Sequence, residues 1–393
     1  MTSSISNTSE TMILSGNWAA CYGAKQAQVD LISAFPITPQ TEILEKMAEL
    51  IASGEMDARY VPAESEHSVM SILIGASRAG ARVFSSTSGQ GLMYMAETVQ
   101  WAGRGRIPMV MCICNRSVGE PAGMMPDHDD SMTMRDPGWI QYYCETNQEV
   151  LDTVLQGFRV TESIHTPVMP CLDGFYLTHT YEPVEIPPVD RVASYIPKDI
   201  DSRPRIDPQN PYSFGWPVQP QSKDRFEHYL IVDLAKKAAL EADEEFGEIF
   251  GRSWGIVEPY RCDDAELILV ALGSMVSQCR MVADRDREKG RKTGVLKIRL
   301  FSPFPKEEVS RILSGARKVA VVNRGYSYGH GGQLTLELRS ALYESGVRTP
   351  TYDFVVGVGG FDVPANIIQD IADYCYEKDP PQFKSIWMGV PSL

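Results

Sequence analysis

The sequence predicts an α/β protein with two doubly wound, largely parallel sheets, the second smaller than the first. Helix and strand patterns alternate along the chain. The strands are near-continuous apolar runs such as MVMCIC at 109–114, and a proline-rich stretch at 181–221 separates two such alternations. Strands that are apolar on both faces belong to parallel sheets covered by helices on either side. At 393 residues the chain exceeds one ordinary domain. The pattern divides it into a first α/β domain over 1–180, a proline-rich linker and helical segment over 181–255, and a second α/β domain over 256–393.

In the first domain the pattern predicts a helix over 17–30, a strand over 31–35 and a helix over 40–52. The last carries Ile43, Leu44, Met47, Leu50 and Ile51 as one helical stripe. A strand follows at 59–62, then a small-residue helix at 68–79, a strand at 82–86, a helix at 91–103 and a strand at 108–114. A helix at 148–164 and a strand at 167–172, ending at Asp173-Gly174, complete it. The linker holds nine prolines between Tyr181 and Gln221, and proline neither donates to a ladder nor leaves its predecessor free. Tyr212, Phe214 and Trp216 suggest that it lies across a surface. A helical stretch follows at 225–250. The second domain reads strand 266–272, helix 275–289, strand 294–301, helix 306–314, strand 318–323, helix 331–343 and strand 352–356.

Composition narrows the function. Hydrophobic residues make up 43% and charged residues 22% of the chain, as in packed globules. A net charge of −14 argues against nucleic-acid or anionic-membrane partners held by overall charge. No run approaches the ~20 apolar residues that cross a bilayer, and the Ser/Thr-rich start lacks the basic and apolar parts of a signal peptide. The expected location is the cytoplasm. None of the eight cysteines forms a CxxC pair, and the six histidines show no ligand spacing. Cys112 and Cys114, on one strand face, read as small buried hydrophobes. No metal site is expected on this chain, so any redox metal must lie on another.

Several strand ends carry residues able to do chemistry, and ligands bind beyond the carboxyl ends of strands in open α/β sheets. Thr38, in FPITP, can donate to an oxyanion; taken alone, capping the next helix is the commoner role. Glu64-Ser65-Glu66-His67 opens a helix. The helix dipole explains a carboxylate there, but Glu66 also precedes an apolar run and could share a proton with a weakly basic ring nitrogen. Ser85-Ser86-Thr87-Ser88-Gly89-Gln90-Gly91 joins a strand to a helix with residues small enough for a flat ligand to approach. It is neither a P-loop nor a GxGxxG fingerprint. Arg116, just past a strand, can clamp a carboxylate with paired hydrogen bonds, or make a surface salt bridge. The loop 119–134 is long enough for a lid or an interface, and its Asp127-His128-Asp129-Asp130 lacks the spacing of a calcium loop. Glycine-rich turns at 324–332 and 357–360 can hold anions or form tight turns at a subunit contact, the commoner case.

Taken together and in order, these stretches resemble the α subunits of the 2-oxoacid:ferredoxin oxidoreductases. The matching stretches are AFPITPQTEI, AESEHSVMSILIGASRAGARVFSSTSGQGLMYMAE, CNRSVGEP, PDHDDSM, RDPGWIQ, QEVLD and CLDGFYLTH. In the second half they are FGRSW, DDAELILVALGS, RLFSPFPKEEV, GHGGQL and GVGGFDV. The resemblance implies a thiamine-diphosphate-binding, pyrimidine-type first domain and a smaller transketolase-C-terminal-like second domain. It also implies CoA-dependent oxidative decarboxylation of a 2-oxoacid to an acyl-CoA and CO₂. Carried over, Glu66 hydrogen-bonds N1′ of the aminopyrimidine, with Glu64 as the alternative. Thr38 and Arg116 hold the substrate, Thr87 and Ser88 line the pyrimidine pocket, and Asp127 and Asp129 lie in a loop that covers the active site.

The diphosphate and Mg²⁺ motif of thiamine enzymes, and cluster cysteines, do not occur here. The resemblance therefore implies a β subunit carrying that motif, a γ subunit and a ferredoxin-like δ subunit with [4Fe–4S] clusters, with ferredoxin or another acceptor taking the electrons. The GEPAGMM loop, 119–125, departs from pyruvate-specific relatives and suggests an aromatic 2-oxoacid such as phenylglyoxylate, with pyruvate next. The PITP form argues against a dianion such as oxalate. The alternatives are a non-redox thiamine-dependent transferase or decarboxylase subunit and a non-catalytic assembly subunit.

Overall fold

The computed structural model describes residues 9–121, 123–198, 205, 209, 222–381 and 384–390. Of the expected linker, the part that carries Tyr212, Phe214 and Trp216 lies outside the described residues. The first region runs β1 (Glu10–Ser15), helix Gly16–Gln26, β2 (Leu31–Ala34), helix Thr41–Ala52, β3 (Arg59–Pro62), helix Glu66–Arg78 and β4 (Val83–Thr87). Helices Gly89–Tyr94 and Ala96–Arg104 follow, then β5 (Val110–Asn115), helix Asp129–Thr133, β6 (Ile140–Tyr143), helix Asn147–Ile164 and β7 (Val168–Asp173). The expected helix over 91–103 is thus two helices, broken at Met95. The start of the proline-rich stretch forms β8 (Tyr181–Ile186), which pairs antiparallel with β1, and helix Val189–Tyr195. Helix Ser222–Phe250 leads into the second region.

That region contains β9 (Val257–Tyr260), β10 (Leu267–Ala271), helix Met275–Glu288, β11 (Thr293–Ile298), β12 (Leu300–Ser302), helix Lys306–Leu313 and β13 (Lys318–Asn323). Helix Gln333–Glu344, β14 (Thr351–Val355), helix Ala365–Glu377 and β15 (Ile386–Trp387) end it. The single strand expected over 294–301 is divided at Arg299. Its first part stays in the second sheet, and its second part, β12, pairs antiparallel with β6 of the first.

The first sheet has the order β12-β6-β7-β5-β4-β2-β3 and the second β15-β14-β13-β10-β11-β9. Apart from β12 and β9, the pairings in both sheets are parallel. From β2 the chain moves outward on one side to β3 and on the other to β4. The crevice beyond β2 and β4 is therefore a topological switch point, where open α/β sheets place ligands. Helices Gly16–Gln26 and Asn147–Ile164 approach closely because Gly23 lacks a Cβ, which would lie 2.9 Å from that of Val154.

One apolar cluster runs from Met70, Leu92 and Met111 of the first region to Ile268, Leu296 and Leu338 of the second. Arg299, at the strand division, is buried, its guanidinium ion-paired with Glu149 at 2.9 Å and stacked on Tyr142. Among the described residues no helix is long and apolar enough to cross a membrane.

Candidate active site

The side chains picked out at strand ends gather at the carboxyl edge of the first sheet. After β2, Ile37 to Gln40 form a turn with a cis peptide between Thr38 and Pro39. Asn17 Nδ2 donates to the Pro39 carbonyl at 2.9 Å, and Gln40 Nε2 reaches Ser86 Oγ at 2.6 Å and the Ser86 carbonyl at 2.9 Å. These bonds leave Thr38 exposed. It does not cap the following helix, whose N-cap position is Gln40, without a side-chain bond.

After β3, Ser65 caps helix Glu66–Arg78 by accepting from Ser68 N at 3.3 Å. Glu64 is exposed and bonded by the Ser68 hydroxyl, which lowers its pKa. Glu66, at the first helical position, is 8% exposed. Its carboxylate accepts no hydrogen bond among the described residues. The buried Thr87 Oγ1, at the end of β4, has no partner either. Both aim at Gly91, where a Cβ would lie 2.7 Å from Glu66 Oε1 and 2.6 Å from Thr87 Oγ1. Two buried polar groups thus pack closely on Gly91, where any side chain would displace them. The buried Ser88, next to Thr87, donates its hydroxyl proton to the Cys114 carbonyl at 2.6 Å.

Arg116 follows β5 and lies over Gly89, whose φ is +42°; a Cβ there would meet Arg116 Cγ at 2.7 Å. The guanidinium makes no surface salt bridge among the described residues. Nη1 donates to the Thr38 carbonyl at 2.7 Å and Nε to that of Gly123 at 3.1 Å. Thr38 and Arg116 are therefore neighbours, and the remaining Nη1 and Nη2 protons are left for an anion. Burial lowers the Arg116 pKa while Asp130 raises it.

The Asp127–Asp130 segment packs against the second sheet's carboxyl edge. Asp129 Oδ1 accepts from Tyr326 N at 2.8 Å and Gln333 Nε2 at 2.7 Å, and His128 N donates to the Arg324 carbonyl at 2.8 Å. Asp127 is buried and accepts from Asp129 N at 3.0 Å; burial raises the pKa of both carboxyls. His128 Nε2 meets Asp173 Oδ1 at 2.6 Å, and Asp173 Oδ2 accepts from Ser274 N at 2.9 Å. Burial pushes the Asp173 carboxyl up, but the His128 and Arg324 charges outweigh it and hold it well below the usual range. The glycine-rich turns at 324–332 and 357–360 thus receive a loop of the same chain. Among the described residues no group of three or more His, Cys, Asp or Glu could hold a metal ion.

Asn17, Gln40, Asn115 and Asp130 were not anticipated. Only the position of Asp130 beside two other acidic residues hinted at a role.

Comparison with known proteins identifies the family. Residues 22–244 match the family model described as pyruvate flavodoxin/ferredoxin oxidoreductase, thiamine diP-bdg. Residues 265–368 match pyruvate:ferredoxin oxidoreductase core domain II. The chain is 42% identical over 382 residues to pyruvate synthase subunit PorA of Methanothermobacter thermautotrophicus, covering 96% of this chain and 98% of that one. It is 41% identical over 364 residues to ketoisovalerate oxidoreductase subunit VorA of Pyrococcus horikoshii, covering 92% of each. Among solved structures, a 2-oxoglutarate:ferredoxin oxidoreductase from Magnetococcus marinus with 2-oxoglutarate, coenzyme A and succinyl-CoA bound has a TM-score of 0.69 at 18% identity. That alignment covers 92% of this chain but 65% of the other, and supports the fold alone. By sequence and architecture the chain belongs to the pyruvate flavodoxin/ferredoxin oxidoreductase family, as an α-type subunit of the 2-oxoacid:ferredoxin oxidoreductases.

Proposed function

We propose that this subunit supplies the pyrimidine half of a thiamine diphosphate site in a multi-subunit enzyme. The enzyme converts a 2-oxoacid and coenzyme A to an acyl-CoA and CO₂ and passes the electrons to iron–sulfur clusters. The observation that carries this is the convergence of Glu66 and the unpartnered Thr87 hydroxyl on Gly91 at the switch point. A buried carboxylate and a buried hydroxyl, both lacking partners, suit a flat ring bearing nitrogen donors and acceptors. Bound there, thiamine diphosphate supplies a centre that stabilises the carbanion left by decarboxylation.

Glu66 holds the proton at N1′ of the aminopyrimidine. Thr87 and Ser88 line that pocket. Arg116 takes the substrate carboxylate with its remaining N–H groups and Thr38 donates to the 2-oxo oxygen. The Asp127–Asp129 loop closes the site toward the second domain. On this reading residues 1–180 form the pyrimidine domain, 181–255 the linker and 256–393 the second domain. A β subunit brings the diphosphate and Mg²⁺ half, and γ and ferredoxin-like δ subunits carry coenzyme A and electron traffic, with ferredoxin as acceptor.

The substrate is a monoanionic 2-oxoacid with an apolar side chain. Relatives of nearly equal similarity are named for pyruvate and ketoisovalerate. The 119–125 loop, tied to Arg116 through the Gly123 carbonyl, lies where it can set side-chain size. It carries the half-exposed Met124, a flexible residue suited to a larger group such as phenylglyoxylate.

The test is a purified complex given 2-oxoacid, coenzyme A and viologen dye. Glu66→Gln is expected to lower turnover at least ~10²-fold, about 2.7 kcal/mol of barrier. Unchanged turnover in an intact complex would reject the role of Glu66.

A further inference from the structure

Asp130 has no role in the reading above, yet it is bonded to Gly89, Asn115, Arg116 and Ser131 around the site. Its side chain is fully buried. Oδ2 accepts from Gly89 N at 3.0 Å and from Arg116 N at 3.0 Å. Oδ1 accepts from Asn115 Nδ2 at 2.7 Å and from Ser131 N at 2.7 Å. One oxygen therefore bridges the turn that carries Thr87 and Gly91 to the residue whose guanidinium reaches Thr38. The other fixes the end of β5 and the start of the Asp127–Asp129 loop's helix.

We propose that Asp130 is the positioning residue of the site, setting the distance between the anion-binding Arg116 and the Thr87–Gly91 cofactor cradle. This rests on the reading that Arg116 takes the substrate carboxylate. All the groups bonded to Asp130 are donors, so only the ionised carboxylate satisfies them; a protonated acid, or an amide, turns a hydrogen toward one pair of N–H groups.

Burial pushes the Asp130 pKa up to about 6, against the pull of those four donors. The folded protein thus binds this proton more tightly than the unfolded chain. Its contribution to stability is greatest at low pH and declines as pH rises from the unfolded carboxylate range to about 6. At neutral pH the fold carries a charge that weakens it, which suits positioning better than a purely structural part. Burial raises the pKa of the Cys114 and Cys171 thiols and the Tyr143 phenol, which stay neutral, and Arg116 stays cationic. Asp127, Asp129 and His128 lie on its own segment, and burial raises the pKa of Asp127 and Asp129.

The test uses the intact complex with pyruvate or ketoisovalerate, coenzyme A and viologen dye. In the wild type, kcat/KM is expected to fall as pH drops through about 6. In Asp130→Asn, KM at neutral pH is expected to rise at least about 10-fold, as for a charge-assisted hydrogen bond lost. The thermal midpoint should fall, because the amide faces buried N–H groups, while the acid limb near 6 should vanish. The inference is overturned if Asp130→Asn keeps the wild-type KM, or keeps the acid limb. Should the variant fail to assemble, a wild-type kcat/KM that is flat from pH 5 to about 7 overturns it as well. Failure of the parent reading looks different: Arg116→Lys would then keep the wild-type KM for every 2-oxoacid.

Discussion

Glu66, Thr87 and Gly91 show how much a missing side chain can matter. Gly91→Ala places a methyl group within 2.7 Å of both polar atoms and fills the space the ring would take. Thiamine diphosphate titrated into the cofactor-free complex should bind at least ~10-fold more weakly, from steric exclusion of about 1–3 kcal/mol; equal affinity would place the ring elsewhere. Arg116→Lys should raise KM for every 2-oxoacid by about 10-fold or more, because an ammonium cannot hold two carbonyls and still present a planar fork. An unaltered KM in steady-state assays would remove the clamp. Thr38, Glu66, Thr87 and Arg116 were noticed in the sequence at strand ends, but only the family resemblance singled out their roles, since each residue alone has a common structural explanation. Asn17, Gln40 and Asp130 were not, since they act on backbone groups 22, 46 and 41 residues away, and no local pattern reports such pairs.

The helix Asn147–Ile164 is the element on which the two sheets lean. Its Glu149 is fully buried, accepts from Lys297 Nζ at 2.7 Å and is ion-paired with Arg299 Nε at 2.9 Å. Both cations sit on the strand that leaves one sheet for the other. Glu149→Ala leaves the buried Arg299 without its ion pair and Lys297 with Glu145 alone at close range, and should destabilise the chain by about 3–5 kcal/mol, read as a lowered urea midpoint. Removing the more exposed pair Lys46–Glu49 should change the midpoint by less than ~1 kcal/mol. Most long elements were readable from apolar periodicity. The short strands Ile140–Tyr143 and Val257–Tyr260 were passed over, although Leu31–Ala34 and Arg59–Pro62, of the same length, were read. The helix Ala365–Glu377 was readable from Ile368, Ile371, Ala372 and Cys375, which are buried along one stripe, but it was passed over. The break at Arg299 was hidden because an ion pair, not an apolar repeat, decides where the strand turns.

The apolar cluster shared by both regions makes the molecule one mechanical body. Calorimetry should therefore show a single transition whose calorimetric and van't Hoff enthalpies agree; two separated transitions would contradict the shared core. The chain by itself should reduce no dye with any 2-oxoacid, and should do so once its partner subunits are restored. The fold class was plain from alternation alone, but the joining of the two sheets was not, because strand pairing over long separations leaves no mark on either segment. That joining has a practical side. Leu300–Ser302 covers the outer edge of β6, so a fragment cut after the helix Ser222–Phe250 would leave that strand with bare amide and carbonyl groups. Such a fragment would offer a template for sticking to its own copies, and a soluble amino-terminal piece would need its cut placed beyond Ser302.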